Sequence, residues 1–458
     1  FYIFSFLKIL KMECDKYSEE ISKIHKIVKK KYSNVLVIRE EEIAKIRDEI
    51  HEKIGEIYKV TLDAVECYVR EKLSLGKLTP LFLRDDIEEI MVIGKDLPVY
   101  IYDRKTGHQP TDLKLSEEEI EDIITRIANY NKRKIDEFHP LLDARLPDGS
   151  RVNATLPVVT PRGATITIRK FMIRPLTIAD LINNGTLTPR AAAFLWLAVE
   201  GLKTKPANIL MIGGTASGKT TTLNVLSYFI PENERIISIE DVQEINLMHD
   251  HWIPMETKPP EIGANEITMD ELLKNALRMR PDRIIIGEVR GKEALTLFTA
   301  MNTGHEGCLA TLHANSARES ITRLKSHPMN VPTIMLPALD LIVAHRRVTE
   351  KGKTVRKIFE IVEISGREGD TILTNVLFSF DVKKNMLEEK ILNGRLVQEL
   401  SQITNLSIKE IDEEIFSREV ILELLARKKP SPKEIHKMIQ LYYKNPEELV
   451  EILERGVQ

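Results

Sequence analysis

The chain has 458 residues, 43% of them hydrophobic, which predicts about three domains instead of one compact unit. Its 66 lysines and arginines nearly balance 69 aspartates and glutamates, so the net charge of -3 gives no global basic excess that would indicate nucleic acid as the main partner. The cysteines, Cys14, Cys67 and Cys308, are widely spaced, which predicts neither a zinc module nor a disulfide framework and indicates a reducing compartment.

Residues 1–79 are predicted to form a helical N-terminal region. The opening run 1–10 is apolar but shorter than the roughly 20 residues that span a bilayer, and Met12 is expected to be the true start. From about residue 15 to 74 the spacing of apolar residues is helical, and Gly76 and Pro80 end the pattern. One stripe of this region carries Ile43, Ile46, Ile50, Ile54 and Ile57.

Residues 80–174 mix short β-like runs with one helix, which predicts a separate α+β domain. The helix is expected from Ser116 to Tyr130, and the β-like runs cover 90–93, 99–102 and 164–168. The following segment, 175–189, carries two prolines and a glycine among polar residues and is predicted to be a linker that can bend.

Residues 190–385 are predicted to form an α/β core. Buried apolar runs at 209–212, 236–239 and 284–286 alternate with helical segments, a pattern typical of a mostly parallel sheet covered by helices. The tail, 386–458, has helical periodicity and is predicted to be a C-terminal helical region.

A phosphate-binding loop is predicted directly after the first buried strand of this core. Residues 213–220 fit G-x-x-x-x-G-K-[ST] and precede a helix, so backbone N–H groups and the helix N-terminus can hold phosphate. Lys219 is expected to reach the β and γ phosphates and the Thr220 hydroxyl to bind Mg²⁺. A chance glycine-rich turn is disfavoured because spacing, Lys-Thr ending and context agree. ATP and Mg²⁺ are the predicted cofactors, and the predicted binding residues are Gly213, Gly214, Thr215, Ala216, Ser217, Gly218, Lys219, Thr220 and Thr221.

Two further predicted strands end in carboxylates, Glu240-Asp241 and Glu288. In an open parallel sheet such ends face the ligand crevice, where a carboxylate can hold the Mg²⁺ shell or orient the attacking water. Glu240 and Glu288 are therefore predicted metal ligands together with Thr220, and either is a candidate general base. The alternative for each is a helix-capping or solvated acid.

His305 and His313 flank a β-like run at 308–312, which is expected to carry both near the γ phosphate. An imidazole there can donate a hydrogen bond or sense hydrolysis. Isolated histidines are more often core or surface fillers, and His249, His251 and His345 are interpreted in that way.

Four motifs in order resemble the type II/IV secretion system ATPases: the loop 213–220 and the segments 237–241, 280–290 and 304–316. The resemblance implies a RecA-like P-loop ATPase core. In that family the second acidic strand normally ends in Gly-Glu, so Gly287 is a family feature. The resemblance further implies that Glu240 or Glu288 polarises the water and that His305 and His313 are histidine-box sensors.

The resemblance spans about residues 80–347, because 141–154 and 166–171 look like the amino-terminal domain of the family. In relatives, arginines matching Arg151 and Arg169 reach the phosphates across a domain or subunit interface. Without the resemblance both would be interpreted as surface arginines. The predicted catalytic residues are Lys219, Glu240, Glu288, His305, His313, Arg151 and Arg169.

Within the family, 329–332, 336–340 and a tail with Tyr442-Tyr443 look closest to the archaeal branch of archaellum and adhesion-pilus motors. This implies a cytoplasmic homo-hexameric motor, peripheral at the inner face of the membrane. Its partners would be a polytopic membrane platform protein and, indirectly, a pilin-like or secreted protein, with no nucleic acid expected. The rivals are a conjugation-type DNA-transfer ATPase and a non-hydrolysing nucleotide-binding scaffold. Whether the motor assembles, retracts or exports stays open.

Overall fold

The structure is a computed structural model of the chain. It describes residues 14–32, 34–103, 106–171, 175–258, 265–350 and 353–455. Backbone contacts divide the chain into an N-terminal unit, Phe1–Ile173, and a C-terminal unit, Arg174–Gln458. The opening apolar run and Met12 lie outside the described residues.

Helices begin the N-terminal unit, as predicted. A 3-10 turn (Cys14–Tyr17) is followed by α1 (Ser18–Val28), α2 (Glu40–Tyr58) and α3 (Leu62–Lys72). The expected isoleucine stripe on α2 is buried at Ile43, Ile50 and Ile54. Ile57, in the last turn of α2, is 74% exposed and does not join the buried stripe.

The cysteine prediction is wrong for two of the three residues. Cys14 and Cys67 form a disulfide across a sequence separation of 53 residues. The separation was misleading because α3 packs against both α1 and the 3-10 turn that carries Cys14, so distance along the chain does not measure distance in space. The cysteine pattern therefore no longer indicates a reducing compartment. Cys308 is free and buried.

The rest of the N-terminal unit is an antiparallel sheet covered by one long helix. Ser116 caps this helix in a reciprocal capping box with Glu119, and isoleucines at helical spacing bury its inner face. The strands lie in the order β3-β2-β1-β6-β5-β4. The elements are α4 (Thr79–Phe82), β1 (Ile87–Val92), β2 (Pro98–Asp103), β3 (Gly107–Lys114), α5 (Glu117–Tyr130), β4 (Leu141–Arg145), β5 (Arg151–Thr155) and β6 (Thr165–Arg169).

The C-terminal unit is built on a nine-stranded sheet in the order β15-β14-β13-β12-β7-β11-β10-β8-β9. Strands β12, β7, β11, β10, β8 and β9 are mutually parallel, and β13 to β15 continue the sheet antiparallel. The strands are β7 (Ile209–Gly213), β8 (Ile236–Glu240), β9 (Trp252–Glu256), β10 (Arg283–Val289), β11 (Leu309–Leu312), β12 (Leu341–Glu350), β13 (Lys353–Glu368), β14 (Thr371–Asp381) and β15 (Met386–Glu389).

Helices cover both faces of this sheet, so the central strands are apolar on both sides. In β7, Ile209 and Met211 join one buried cluster, whereas Leu210 and Ile212 join the other, as the two-residue period of a strand requires. The helices are α6 (Ile178–Asn183), α7 (Pro189–Glu200), α8 (Lys219–Leu226), α9 (Met269–Ala276), α10 (Glu293–Asn302), α11 (Ala317–Lys325), α12 (Arg395–Thr404), α13 (Ile408–Lys428), α14 (Pro432–Lys444) and α15 (Pro446–Arg455).

The segment 175–189, predicted to be a bending linker, is largely folded into the C-terminal unit. Thr177 and Asp180 form a capping box at the start of α6, and Leu181 joins the main core. The polar residues that indicated a linker therefore serve as helix caps. Arg174, just before it, lies outside the described residues.

The C-terminal helices are locked onto α7 by a buried ion pair. Arg418 donates to Glu200 at 2.9 Å, with both side chains 3% exposed, and the guanidinium also lies over the rings of Trp196 and Tyr442.

Strand β15 falls within the tail that was predicted to be helical from 386. The predicted fold class is confirmed: an α/β core, a preceding α+β domain and helical N- and C-terminal segments. None of the helices described combines the length and apolar character needed to cross a membrane.

Candidate nucleotide-binding and catalytic site

The P-loop joins β7 to α8 through a tight curl. Gly213 has φ +152°, Gly218 has φ +99°, and Ala216 between them is left-handed with φ +56°. A Cβ on Gly213 would lie 2.5 Å from Ser217 Oγ and 2.7 Å from the carbonyl oxygen of His345, so only glycine fits. Such turns form the anion-binding concavities that hold phosphate.

Lys219, the first residue of α8, folds back into this curl. Its Nζ donates to the carbonyl oxygens of Gly213 at 3.0 Å and Gly214 at 2.9 Å, and the residue is 7% exposed. Burial lowers the pKa of Lys219, and the nearby carboxylates of Glu288 and Glu244 oppose that shift. A cation so withdrawn from water is costly without an anionic partner, and a polyphosphate supplies one.

Thr220 and Thr221 are half-buried in the first turn of α8. The first N–H groups of a helix have no partner within it and, with the helix dipole, attract anions. Thr215 and Ala216 are exposed at the mouth of the loop. The nine predicted binding residues are consecutive and form the curl and the first turn of α8. Their role in binding a triphosphate stays a prediction.

Glu288 is at the centre of a charged group beside the loop. Its Oε1 lies 3.2 Å from His313 Nε2, and its Oε2 accepts from Arg290 Nη2 at 2.6 Å. Arg290 Nη1 also lies 3.3 Å from Asp241 Oδ2. These residues meet because β8, β10 and β11 are parallel and end at the same edge of the sheet as β7.

Opposing effects set the charge states in this group. Burial raises the pKa of Glu288, but the bond from Arg290 and the charges of Arg290, His313 and Lys219 outweigh it, so the pKa is lowered. Burial and the charge of Lys219 lower the pKa of His313, against the attraction of Glu288. At neutral pH, Glu288 is therefore a carboxylate and His313 a neutral imidazole.

Arg290 ends the sequence motif 280–290, but no role was predicted for it. The signal was available, because residues two apart in an extended chain share a face, and Arg290 lies two residues after Glu288, just beyond the last residue of β10, Val289. It joins the ends of two acidic strands by bonding to Glu288 and Asp241.

His305 does not lie at this site. Strand β11 runs from Leu309, paired with Ile209, to Leu312, paired with Ile212, so His313 follows at the P-loop edge. His305 precedes the strand near its amino end, where its carbonyl accepts from Cys308 Sγ. The prediction that one strand carries both histidines to the phosphate is therefore wrong for His305, because they flank opposite ends of it. His249 and His345 are buried, consistent with core fillers.

The buried carboxylate of Glu240 holds a neighbouring backbone segment. Its carboxylate accepts from the backbone N–H of Glu244 at 2.9 Å and of Ile245 at 3.2 Å. A Cβ on Gly287 would lie 2.6 Å from Glu240 Cγ, which explains the glycine at that position of β10. Burial raises the pKa of Glu240 to about 7, although the two backbone bonds oppose the shift.

This pKa predicts how stability changes with pH. Because the folded pKa, about 7, is above the ordinary value of 4.5, the folded state holds this proton more tightly and loses stability as pH rises through that window. Glu240→Gln removes this dependence. Between about pH 5 and pH 8, the free energy of unfolding of the wild type should fall by roughly 2 to 3 kcal/mol relative to the variant. Guanidinium unfolding of both proteins at the two pH values checks this. If wild type and variant differ in free energy of unfolding by the same amount at both pH values, the prediction is contradicted.

Arg151 and Arg169 lie in the N-terminal unit. They are directly paired on β5 and β6, so both side chains lie on one face of that sheet. Arg169 Nε is 4.0 Å from Glu89 Oε1, and Arg145 continues the row on β4. The sheet therefore carries three arginines side by side.

Comparison with known proteins identifies the family. A family model described as type II/IV secretion system protein matches residues 99–440. The chain belongs to the type II/IV secretion system protein family. A relative from Methanocaldococcus jannaschii, "Uncharacterized protein MJ0781", is 34% identical over 82% of this chain and 76% of that relative.

Other similar proteins carry transfer and secretion names. "Putative conjugal transfer protein MT3759" of Mycobacterium tuberculosis is 33% identical to this chain. The matched region covers 56% of this chain and 73% of the mycobacterial protein. The solved VirB11 ATPase from the Brucella suis type IV secretion system is 27% identical, covers 62% of this chain and 91% of that one, and superimposes with a TM-score of 0.32.

Proposed function

We propose that this chain hydrolyses ATP as a hexameric motor that powers assembly or export by an archaeal type IV pilus-like or type II secretion-like machine. The observation that carries the proposal is the convergence of the P-loop, Lys219 and the Glu288–His313–Arg290 group at one sheet edge. Membership of the secretion family supports the link to a membrane machine. The archaeal branch rests on the sequence resemblance.

The residues divide the work of phosphoryl transfer. Lys219 and the amides of the loop would hold the phosphates, and the Thr220 hydroxyl would ligate Mg²⁺, which neutralises phosphate charge when bound. Glu288, ionised at neutral pH, orients the attacking water and accepts its proton. Of the two candidate bases we choose Glu288, because Glu240 is occupied by backbone amides. Arg290 and His313 hold the Glu288 carboxylate in place.

Arg151 and Arg169 are proposed to stabilise charge on the phosphates across a domain or subunit interface. Two guanidiniums on one sheet face suit planar recognition of phosphate oxygens. Such a contact, made only when the ring closes, would couple hydrolysis to movement.

Arg151→Ala should lower kcat by roughly 10² to 10³, the range for losing an arginine that acts mainly in the transition state, while the Kd for ATP changes less than about threefold. Steady-state hydrolysis and equilibrium ATP binding are measured on the same preparations. Arg162→Ala, an exposed arginine in the turn before β6, is the matched control. Unchanged turnover in Arg151→Ala would rule out the assigned role.

The proposed setting is the cytoplasm, at the inner face of the membrane. There the motor would act on a polytopic platform protein and, through it, on a pilin-like or secreted protein. Whether it assembles, retracts or exports follows from that partner and not from the site.

The second candidate is a conjugation-type DNA-transfer ATPase, which the name of the mycobacterial relative favours. The balanced charge of this chain opposes it. Adding single-stranded DNA to the ATPase assay separates the two: no stimulation supports the secretion motor, and a clear salt-sensitive stimulation supports the rival.

A further inference from the structure

Strands β12 and β13 form a hairpin beside β7 that extends past the phosphate loop. Strand β12 pairs with β7 until His345 lies beside Gly213, and then continues five residues further, to Glu350. Strand β13 returns from Lys353. His345 Nε2 lies 2.9 Å from Thr222 Oγ1 on α8, so the face of the hairpin that carries His345 is the face toward the P-loop helix.

Arg356 on β13 contacts the loop itself. Its Nε donates to the carbonyl oxygen of Ala216 at 3.0 Å, and its Cδ lies 3.5 Å from where a Cβ on Gly218 would be. The side chain is exposed. The guanidinium therefore covers the Ala216–Gly218 turn, and its two terminal nitrogens make no hydrogen bond or ion pair within the described part of the chain.

Arg347 lies directly opposite Arg356 in the register of the two strands, so the side chains share a face. Like charges placed opposite one another destabilise a strand pair. Among the described side chains no carboxylate pairs with either arginine, and the nearby Glu350 pairs instead with Lys357, at 2.7 Å. Arg356 contacts the same loop that holds Lys219, and Arg347 lies beside Arg356 in the strand register. An anion bound at the loop would therefore offset the repulsion between the paired arginines.

We propose that Arg356, with Arg347 beside it, binds the phosphate chain of the nucleotide held by the P-loop of the same chain. The inference rests on the proposed function and extends it: this pair sets ground-state affinity, whereas Arg151 is assigned to turnover. The motif gave no sign of this contact, because Arg356 is 140 residues from Ala216 in sequence.

The test is equilibrium binding of ATP and of inorganic tripolyphosphate to the full-length protein, by calorimetry with Mg²⁺ at two salt concentrations. The variants are Arg356→Ala and the milder Arg356→Gln, with circular dichroism to verify folding. Arg346→Ala is the matched control, because Arg346 is the neighbouring exposed cation on the opposite face, where its guanidinium lies 4.4 Å from the centroid of the Phe359 ring.

Arg356→Ala and Arg356→Gln should each raise the Kd for ATP about tenfold, the loss of one charge-assisted contact. The Kd for tripolyphosphate should rise by a similar factor, and the salt dependence should become shallower. Arg346→Ala should change either Kd less than about twofold.

Three results would overturn the inference: an unchanged Kd for ATP in both Arg356 variants, an equal rise in Arg346→Ala, or weaker ATP binding with unchanged tripolyphosphate binding. Lys219→Ala separates this from the proposed function. If Lys219→Ala no longer binds ATP but the Arg356 variants bind it as the wild type does, only the arginine assignment fails. If Lys219→Ala binds as tightly as the wild type, the P-loop assignment and this inference both fail.

Discussion

Lys219→Ala is expected to abolish ATP hydrolysis and to raise the Kd for ATP by about 100-fold or more, since it removes the buried cation that holds the phosphates. The lysine is buried inside the curl of the loop, so no surface charge can replace it. Phosphate release and calorimetric ATP binding measure the two effects.

The same substitution should leave the nucleotide-free protein at least as stable, because a buried ammonium whose hydrogen bonds, within the described residues, go to two backbone carbonyls contributes little to folding. The upward shift in Tm on adding ATP should disappear. Lys383→Ala, an exposed lysine after β14, is the control that should keep both turnover and the shift. Wild-type turnover in Lys219→Ala would refute the assigned role.

Local sequence predicted the parts of the fold that local chemistry determines. The glycines and lysine of 213–220 specify a strand, a curl and a helix within one short segment, and the structure forms all three. The helix predicted from Ser116 to Tyr130 begins where expected, and the capping box of Ser116 and Glu119 that starts it involves residues only three apart. In 175–189, similar capping residues were misinterpreted as linker, since nothing local shows that Leu181 is buried.

The remainder depends on pairings distant in sequence. His305 and His313 could be assigned only once the register of β11 against β7 was known. Glu240 and Glu288 end parallel strands in the same way, and only the fold of the segment after β8 shows that Glu240 is occupied by amides. The Cys14–Cys67 disulfide and the Arg356 contact likewise join positions that no local pattern relates.

Glu288→Gln is the second large expected effect and tests the central claim, that the group at the carboxyl edge of the sheet cleaves a triphosphate held by the P-loop. Glutamine keeps the shape and can still accept from Arg290, but it cannot take a proton from water. Turnover should therefore fall by about 10³ or more, while the Kd for ATP stays within about threefold.

The decisive measurement is phosphate release by Glu288→Gln in the presence of Mg²⁺, with ATP binding followed in parallel and Glu368→Gln, an exposed glutamate at the end of β13, as the control. Glu288→Gln is expected to fill its site with ATP and to release almost no phosphate. Turnover by Glu288→Gln equal to that of wild type and Glu368→Gln would contradict it.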